Sequence, residues 1–435
     1  MIPAIRLYLL LLFGLIIGGL SAMIFKPQSS VFFILIFDSI ILGLGIWDSQ
    51  QVKKYQVQIT RNPLYRLSIG RDNLVELLVK NSDRNAQIII KDSYPLDFLV
   101  STNTLKSVLS PNSNQTLSYT IYPNHRGEYN WGNIQVRQLG KFKLAWYDWK
   151  IPAQETVAIY PDLIGLRSLS IRLTLEATGS MRQARRFGIG TEFSELQEYN
   201  KGDDMRLIDW KATARRNRPF IRILEPDKEQ TLIILLDRGR LMTSQVQGLK
   251  RFDWGLNATL SLALAGLHRG DKVGIGVFDK QVMTWIPPQR GQHQLSVFLD
   301  RLTPIQPVLL EPDYVGAVSQ LVQQQTRRAL VVLITDIIDT TASAELLSAM
   351  TKLTPRYLPF CIALRDPQVD TIAHTSTLKV DEAYQRAVAL DLLSQRQVAF
   401  ARLKQRGVLV LDAPANQISE QLVNRYLQLK AKSLL

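Results

Sequence analysis

Two apolar runs open the chain. Leu7 to Phe25 (LYLLLLFGLIIGGLSAMIF) carries no charge, and Val31 to Trp47 (VFFILIFDSIILGLGIW) is apolar except for Asp38 and Ser39. At about 1.5 Å of rise per residue, such runs approach the thickness of a hydrocarbon core, so they predict a two-helix transmembrane hairpin over residues 1–50. A cleaved signal peptide is the rival reading of the first run, because Arg6 precedes it and Ser21-Ala22 are small; the second run directly behind it argues against that. Between Tyr55 and Pro161 the period changes to two. Val75, Leu77 and Val79 alternate with Glu76 and Lys80, and Leu117, Tyr119 and Ile121 alternate with Ser118 and Thr120. Turn clusters such as Asn81-Ser82-Asp83 and Pro111-Asn112-Ser113-Asn114 separate these runs. Short alternating strands with regular turns predict an all-β, immunoglobulin-like sandwich over residues 51–165.

Beyond residue 229 apolar strands alternate with helical stretches. Thr231–Leu236, Val273–Phe278, Leu330–Thr335, Phe360–Leu364 and Val408–Leu411 are the strand candidates. Leu256, Leu260, Leu264 and Leu267 recur at helical spacing, as do Ile418, Leu422, Tyr426 and Leu429. This order predicts a doubly wound α/β domain, with a mostly parallel sheet covered on both faces, over 229–435. Residues 166–228 remain as a linker. Its first part combines the alternating set Leu169, Ile171, Leu173 and Leu175 with a small-polar, basic passage that reads as an exposed connection.

Composition agrees with an ordered, multidomain protein: 435 residues, 46% hydrophobic and 21% charged. The single cysteine, Cys361, lies in an apolar strand candidate, which excludes an intrachain disulfide and reads as a core residue. The net charge of +14 has three readings: a nucleic-acid partner, an anionic membrane surface, or a soluble surface that is simply basic. Arg6 precedes the hairpin, and Lys53, Lys54, Arg61, Arg66 and Arg71 follow it, with only Lys26 between its helices. The positive-inside rule therefore predicts a two-pass protein of the inner (cytoplasmic) membrane with its soluble domains in the cytoplasm. Asp38 is costly in lipid and marks a functional position or a bond within the hairpin, while Gly14, Gly18 and Gly19 permit close helix packing.

The densest charge lies in GIGTEFSELQEYNKGDDMRLIDWKATARRNRPFIRILEPD, which begins at Gly188. Asp203, Asp204 and Asp209 interleave with Arg206, Lys211, Arg215, Arg216 and Arg218, so the run is either a self-paired clasp or a docking surface. In the second case Glu192, Asp203, Asp204, Arg206, Asp209, Trp210 and Arg215 are the partner-binding candidates, with Arg and Trp the types that most often dominate interface energy. Gly190-Thr191-Glu192-Phe193, Glu198-Tyr199, Gly202-Asp203-Asp204, Arg206, Ile208-Asp209-Trp210, Lys211 and Ala214-Arg215 together resemble the signature of the bacterial domain-of-unknown-function fifty-eight family. The resemblance implies membrane linkage, a von Willebrand factor A-like domain and association with MoxR-type AAA+ ATPases. It extends to Gly270-Asp271-Lys272-Val273-Gly274, Ala363-Leu364-Arg365-Asp366-Pro367 and Tyr426-Leu427-Gln428-Leu429-Lys430.

Domains of that kind often hold Mg²⁺ at their strand ends through Asp-x-Ser-x-Ser, a distant Thr and a later Asp, oxygen ligands suited to a hard cation. The corresponding stretch here is Asp237-Arg238-Gly239-Arg240-Leu241; both hydroxyl positions are lost, and Asp336 matches the later Asp. No convincing Thr stands in Pro307 to Tyr314, which leaves a degenerate site whose two carboxylates Arg238 or Arg240 would neutralise. No cofactor is expected, and obligatory Mg²⁺ is not.

Neither a phosphate loop nor a zinc-protease or nucleophile-elbow motif occurs, and His125, His268, His293 and His374 stand singly. The expectation is a non-enzymatic, membrane-anchored adaptor that works through protein–protein contacts, with a MoxR-type AAA+ ATPase as the partner the resemblance implies. Its competitor is a basic protein that binds anionic surfaces, lipid or nucleic acid; a hydrolase using Asp203, Asp204 and Asp209 is the weakest reading.

Overall fold

Helices α1 (Ile5–Ser21) and α2 (Pro27–Gln51) fill the two apolar runs and pack together. The computed structural model describes residues 2–21, 27–187, 192–200, 203–225, 230–338, 343–375 and 379–431, so the expected end of the first helix at Ala22–Phe25 lies outside the described residues. Gly14 faces Phe37 and Asp38 while Gly18 faces Ile34, which makes the helices antiparallel. A Cβ on Gly18 would stand 2.0 Å from Ile34, whereas Gly19 has open space, so only the first two glycines serve the packing. Among the described residues one helix, over Val31–Tyr55, is long and apolar enough to cross a membrane; Ile5–Leu20 is a shorter apolar helix. Leu9, Leu12, Leu15, Phe32, Phe33 and Leu35 are exposed on the pair.

The chain divides into two compact units, Met1–Tyr160 and Pro161–Leu435. In the first, strands β1 (Ile2–Pro3), β2 (Gln58–Arg61), β3 (Leu67–Ser68), β4 (Asn73–Lys80), β5 (Ala86–Asp92), β6 (Leu99–Val100), β7 (Leu105–Leu109), β8 (Asn114–Tyr122), β9 (Gly127–Trp131), β10 (Ile134–Leu139), β11 (Ala145–Ile151) and β12 (Glu155–Tyr160) form three sheets. Two are antiparallel, ordered β1-β11-β10-β5-β7 and β2-β4-β8-β6; the third is β3-β12-β9. Alternation sends Ile88, Ile90, Ile134 and Val136 of the first sheet and Ile59, Leu77 and Val79 of the second into one core. Arg61, Asp92 and Tyr119 cross this interface as a buried polar bridge, with the Tyr119 hydroxyl donating to Asp92 at 2.7 Å. Of the aromatic cluster at Trp146, Tyr147 and Trp149, the last packs against the core and stacks on Tyr147 at 5.7 Å.

Asp48, buried in the last turns of α2, joins the helix pair to the first sheet. Its carboxylate accepts from the Phe142 N–H at 3.0 Å and the Leu144 N–H at 3.1 Å, and Leu144 packs with Leu7 and Ile41. A Cβ on Gly140 would lie 2.2 Å from that carboxylate. Gly140→Ala is therefore expected to cost about 1–3 kcal/mol and to raise hydrogen exchange at residues 140–146; unchanged exchange there would contradict the joint.

The second unit opens with α3 (Leu163–Phe187), where an exposed connection was expected. Leu166 and Leu173 are buried in the α/β core, seven residues apart on one helical face, while Ile171 and Leu175 are exposed; the apparent alternation is incidental to a helix. After it come β13 (Glu192–Glu198), α4 (Trp210–Arg216) and β14 (Phe220–Glu225), discussed below. The α/β core follows, with β15 (Thr231–Asp237), the short pair β16 (Gln245–Val246) and β17 (Leu249–Lys250), α5 (Arg251–His268), β18 (Lys272–Phe278), β19 (Val282–Gln289), α6 (His293–Leu302) and α7 (Tyr314–Gln324). Then β20 (Leu330–Thr335), α8 (Ala344–Lys352), β21 (Leu358–Arg365), α9 (Pro367–His374), α10 (Val380–Gln405), β22 (Leu409–Pro414) and α11 (Ile418–Ala431) complete it.

The six-stranded sheet runs β19-β18-β15-β20-β21-β22, parallel except for the antiparallel edge strand β19. α3, α5, α6 and α11 cover one face, and α7, α8 and α10 the other. Cys361 is fully buried on β21, where burial pushes its thiol up to about 12, an inert core residue. The segments Gly270–Gly274 and Tyr426–Lys430 meet: buried Asp271 accepts from Tyr426 and pairs with Lys430, which pins α11 to the sheet.

Candidate functional site

The charge-dense segment folds as a small antiparallel unit. β13 pairs with β14 in the register Glu198↔Phe220 to Glu192↔Glu225, and Ile208 adds a bridge to Ile221. Between the strands lies a short 3-10 turn over Met205–Leu207, then α4. Each aspartate has a local backbone task. Asp203 accepts from the Asn200 N–H at 2.7 Å, Asp204 caps the 3-10 turn through the Arg206 N–H at 2.9 Å, and Asp209 caps α4 through the Lys211 and Ala212 N–H groups, each at 3.0 Å. Arg222 of β14 donates to the other Asp209 oxygen at 2.8 Å, and with the two cap bonds holds its carboxyl below the usual range. Asn217, at φ 51°, ends α4, and Arg218 pairs with Glu198 at 3.0 Å.

The acids are thus the frame of this unit. What it turns to solvent is Met205, 70% exposed, Trp210, 73% exposed, and the exposed cations Arg206, Lys211, Arg215 and Arg216. Trp210, the first residue of α4, is exposed, whereas Phe220 and Ile221 of β14 are buried. Glu192 begins β13 with its side chain outside the description, and Gly188–Thr191 and Gly202 lie outside the described residues. Met205 was not singled out by sequence reasoning; its place in the signature between Asp204 and Arg206 was the available signal.

The second cluster sits at the carboxyl ends of β15, β20, β21 and β22, the usual ligand edge of such sheets. Asp237 is fully buried, with Oδ1 accepting from the Gly239 N–H at 2.7 Å, and Oδ2 from the Thr335 hydroxyl at 2.6 Å and the Tyr314 hydroxyl at 3.0 Å. Burial, offset by those three donors, raises its pKa to about 6. Gly239 has no room for a side chain: a Cβ there would meet the Leu310 carbonyl at 2.8 Å and Pro312 at 2.9 Å. Asp336 is held by two guanidinium groups, Arg396 of α10 at 2.6 Å on Oδ1 and Arg251 of α5 at 2.9 Å on Oδ2. Arg396 continues to Asp412 of β22 at 2.9 Å, and Arg365 closes the knot on Asp412 and Asp370. Burial works against the Arg396 charge, but Asp336 and Asp412 outweigh it and raise its pKa.

The expected neutralisers lie elsewhere. Arg238 pairs with Asp279 at 2.8 Å and Arg240 with Glu311 at 2.7 Å, because the loop after β15 turns both away from the carboxylate pair. Tyr314, Thr335, Arg251 and Arg396 were missed, as they are distant in sequence and unremarkable in pattern. The donor set does not fit Mg²⁺: every oxygen of the two carboxylates already accepts from an N–H or O–H, and two arginine charges flank the place a cation would take. No group of three or more His, Cys, Asp or Glu suited to a metal occurs among the described residues.

Residues 195–404, from the signature hairpin through α10, match the profile of the family described as protein of unknown function DUF58. Residues 195–404 form a DUF58 region. The chain is similar to uncharacterised proteins of Mycobacterium tuberculosis and Mycobacterium bovis, 27% identical over 153 residues, or 35% of this chain and 48% of theirs. The match spans about half the length of those relatives. Among solved structures the chain is similar to the conserved hypothetical protein BatB from Bacteroides thetaiotaomicron, with 16% identity, 47% of this chain and 99% of that one covered, and a TM-score of 0.33. An aerotolerance-related membrane protein from Bacteroides fragilis, carrying multiple mutations to serines, gives 18% identity, 45% and 99% coverage and a TM-score of 0.30.

Proposed function

We propose that this protein is a non-enzymatic adaptor anchored in the cytoplasmic membrane by a two-pass helical hairpin, with its soluble parts in the cytoplasm. The signature hairpin is its docking surface, and the partner is a MoxR-type AAA+ ATPase that acts with it on other complexes. The observation that carries this reading is the division of labour in the signature: the aspartates cap and pair within the unit, leaving Trp210, Met205 and Arg206 exposed. A clasp alone needs the caps; it gives no reason for an exposed Trp flanked by cations. The ATPase comes from the family resemblance. The α/β domain is, in this reading, a von Willebrand A-like scaffold whose cation site is replaced by the arginine knot, so the fold is independent of Mg²⁺.

Trp210→Ala and Arg206→Glu leave both caps in place and are expected to change stability by no more than about 0.5 kcal/mol while abolishing partner capture. Asp209→Ala is expected to loosen the hairpin itself, seen as faster amide exchange across β13 and β14. Loss of stability in Trp210→Ala, with capture retained, would make the signature a clasp. The hydrolase reading requires turnover that Asp204→Ala abolishes. The basic charge favours a second role at an anionic surface, which the first unit locates more closely than composition does.

A further inference from the structure

The turn between β10 and β11 is held rigidly against the end of α2. Gly140 and Lys143 close it, with the Lys143 N–H donating to the Gly140 carbonyl at 3.0 Å and Lys143 in the left-handed region at φ 60°. Asp48 of α2 accepts from two of its amides, and the Ala4 N–H donates to Leu144 at 2.9 Å. Buried Leu144 faces the helix pair, yet Phe142, two residues earlier, is 51% exposed. Its ring lies 5.9 Å from that of Trp47, itself 49% exposed at the end of the apolar helix, and Lys141 lies 5.8 Å from the Phe142 ring centroid. Lys141 and Lys143 are exposed, and Lys53 stands over Tyr147 at 5.7 Å.

The exposed apolar surface of α2, through Leu42, Leu44, Ile46 and Trp47, therefore continues onto Phe142 of the sandwich and ends among lysines. Aromatic rings followed by cations at the end of an apolar helix match the order of a bilayer interface: hydrocarbon, headgroup, phosphate. A mobile lysine loop would sample such a surface; this one is fixed by a buried carboxylate and a third backbone bond, so the ring and charges are presented together.

We infer that the Gly140–Leu144 turn is an interfacial anchor that seats the sandwich on the membrane, with Phe142 beside Trp47 at headgroup level and Lys141 and Lys143 on the phosphates of anionic lipid. This rests on the proposed insertion of the hairpin, and adds that the first unit has a lipid-facing end with a preference for negative headgroups. Gln154, beyond the opposite end of β11, is exposed.

The test uses the full-length protein in vesicles of brominated phosphatidylcholine, with or without phosphatidylglycerol. Bimane is placed by Leu35→Cys, Phe142→Cys or Gln154→Cys; Cys361 is fully buried and does not label. The label at 35 is expected to lose most of its fluorescence in both vesicles, the label at 142 to lose most of it when phosphatidylglycerol is present, and the label at 154 to lose none. Adding Lys141→Gln and Lys143→Gln is expected to return the signal at 142 to its value without anionic lipid, with position 35 unmoved. Quenching at 35 but not at 142 overturns the anchor while sparing the hairpin reading. No quenching at either overturns both. Quenching at 142 that ignores phosphatidylglycerol and the lysines overturns the anionic preference.

Discussion

Arg396→Met is expected to destabilise the α/β domain by about 3–5 kcal/mol, the usual result of removing one partner of a buried ion pair. The guanidinium bonds Asp336, the Ile337 carbonyl and Asp412 at once, and tethers α10 to the ends of β20 and β22. Without it Asp412 keeps Arg365, and buried Asp336 keeps one guanidinium, Arg251, and the Ile337 N–H. Arg396→Lys is expected to recover little, because an ammonium cannot span three acceptors with a planar fork. Native-state hydrogen exchange on the full-length protein in detergent reads this locally: protection of β20 and β22 should fall in both variants, and protection unchanged in Arg396→Met would show the knot to be incidental.

The second large effect concerns pH. Burial raises the Asp237 pKa to about 6 from an ordinary value of 3.8, so the folded protein holds this proton more tightly than the unfolded chain. The stabilising contribution is then complete below about pH 4 and is lost as pH climbs through 6. Roughly two pK units at about 1.4 kcal/mol each make the loss about 3 kcal/mol. Asp237→Asn keeps an acceptor for the Gly239 N–H and offers its amide to the Thr335 and Tyr314 hydroxyls, yet does not titrate. Stability of the α/β domain measured between pH 4 and 7 should fall in the parent and stay nearly level in the variant. Parallel slopes in the two proteins would mean that Asp237 is already ionised at pH 4.

Much of the α/β domain was legible because buried parallel strands are written as continuous apolar runs: Leu330–Thr335 matches β20 residue for residue, and the other four strands differ only at their ends. β19 was missed because Pro287 and Pro288 argue against a strand; an antiparallel edge tolerates them, since outward positions donate no ladder bond. α3 was taken for part of a linker, because the two-residue spacing of Leu169 to Leu175 and the small-polar passage behind it mask the helical pair Leu166 and Leu173. The β13–β14 hairpin was hidden by its charge, which caps and pairs outside the strand pattern. At the carboxylate pair the two aspartates were visible in sequence, but the arginines that hold Asp336 were not. Arg251 and Arg396 sit in helices of ordinary periodicity and reach Asp336 across 85 and 60 positions of sequence, a distance no local pattern spans.

The central claim is that the signature hairpin docks an AAA+ ATPase, and a photo-crosslinking residue in place of Trp210 tests it most directly. With the full-length protein in its native membrane, illumination is expected to join position 210 to one AAA+ ATPase, and Arg206→Glu is expected to abolish that adduct without altering membrane levels of the protein. Adducts confined to this chain itself, or an ATPase adduct that survives Arg206→Glu, would contradict the docking surface.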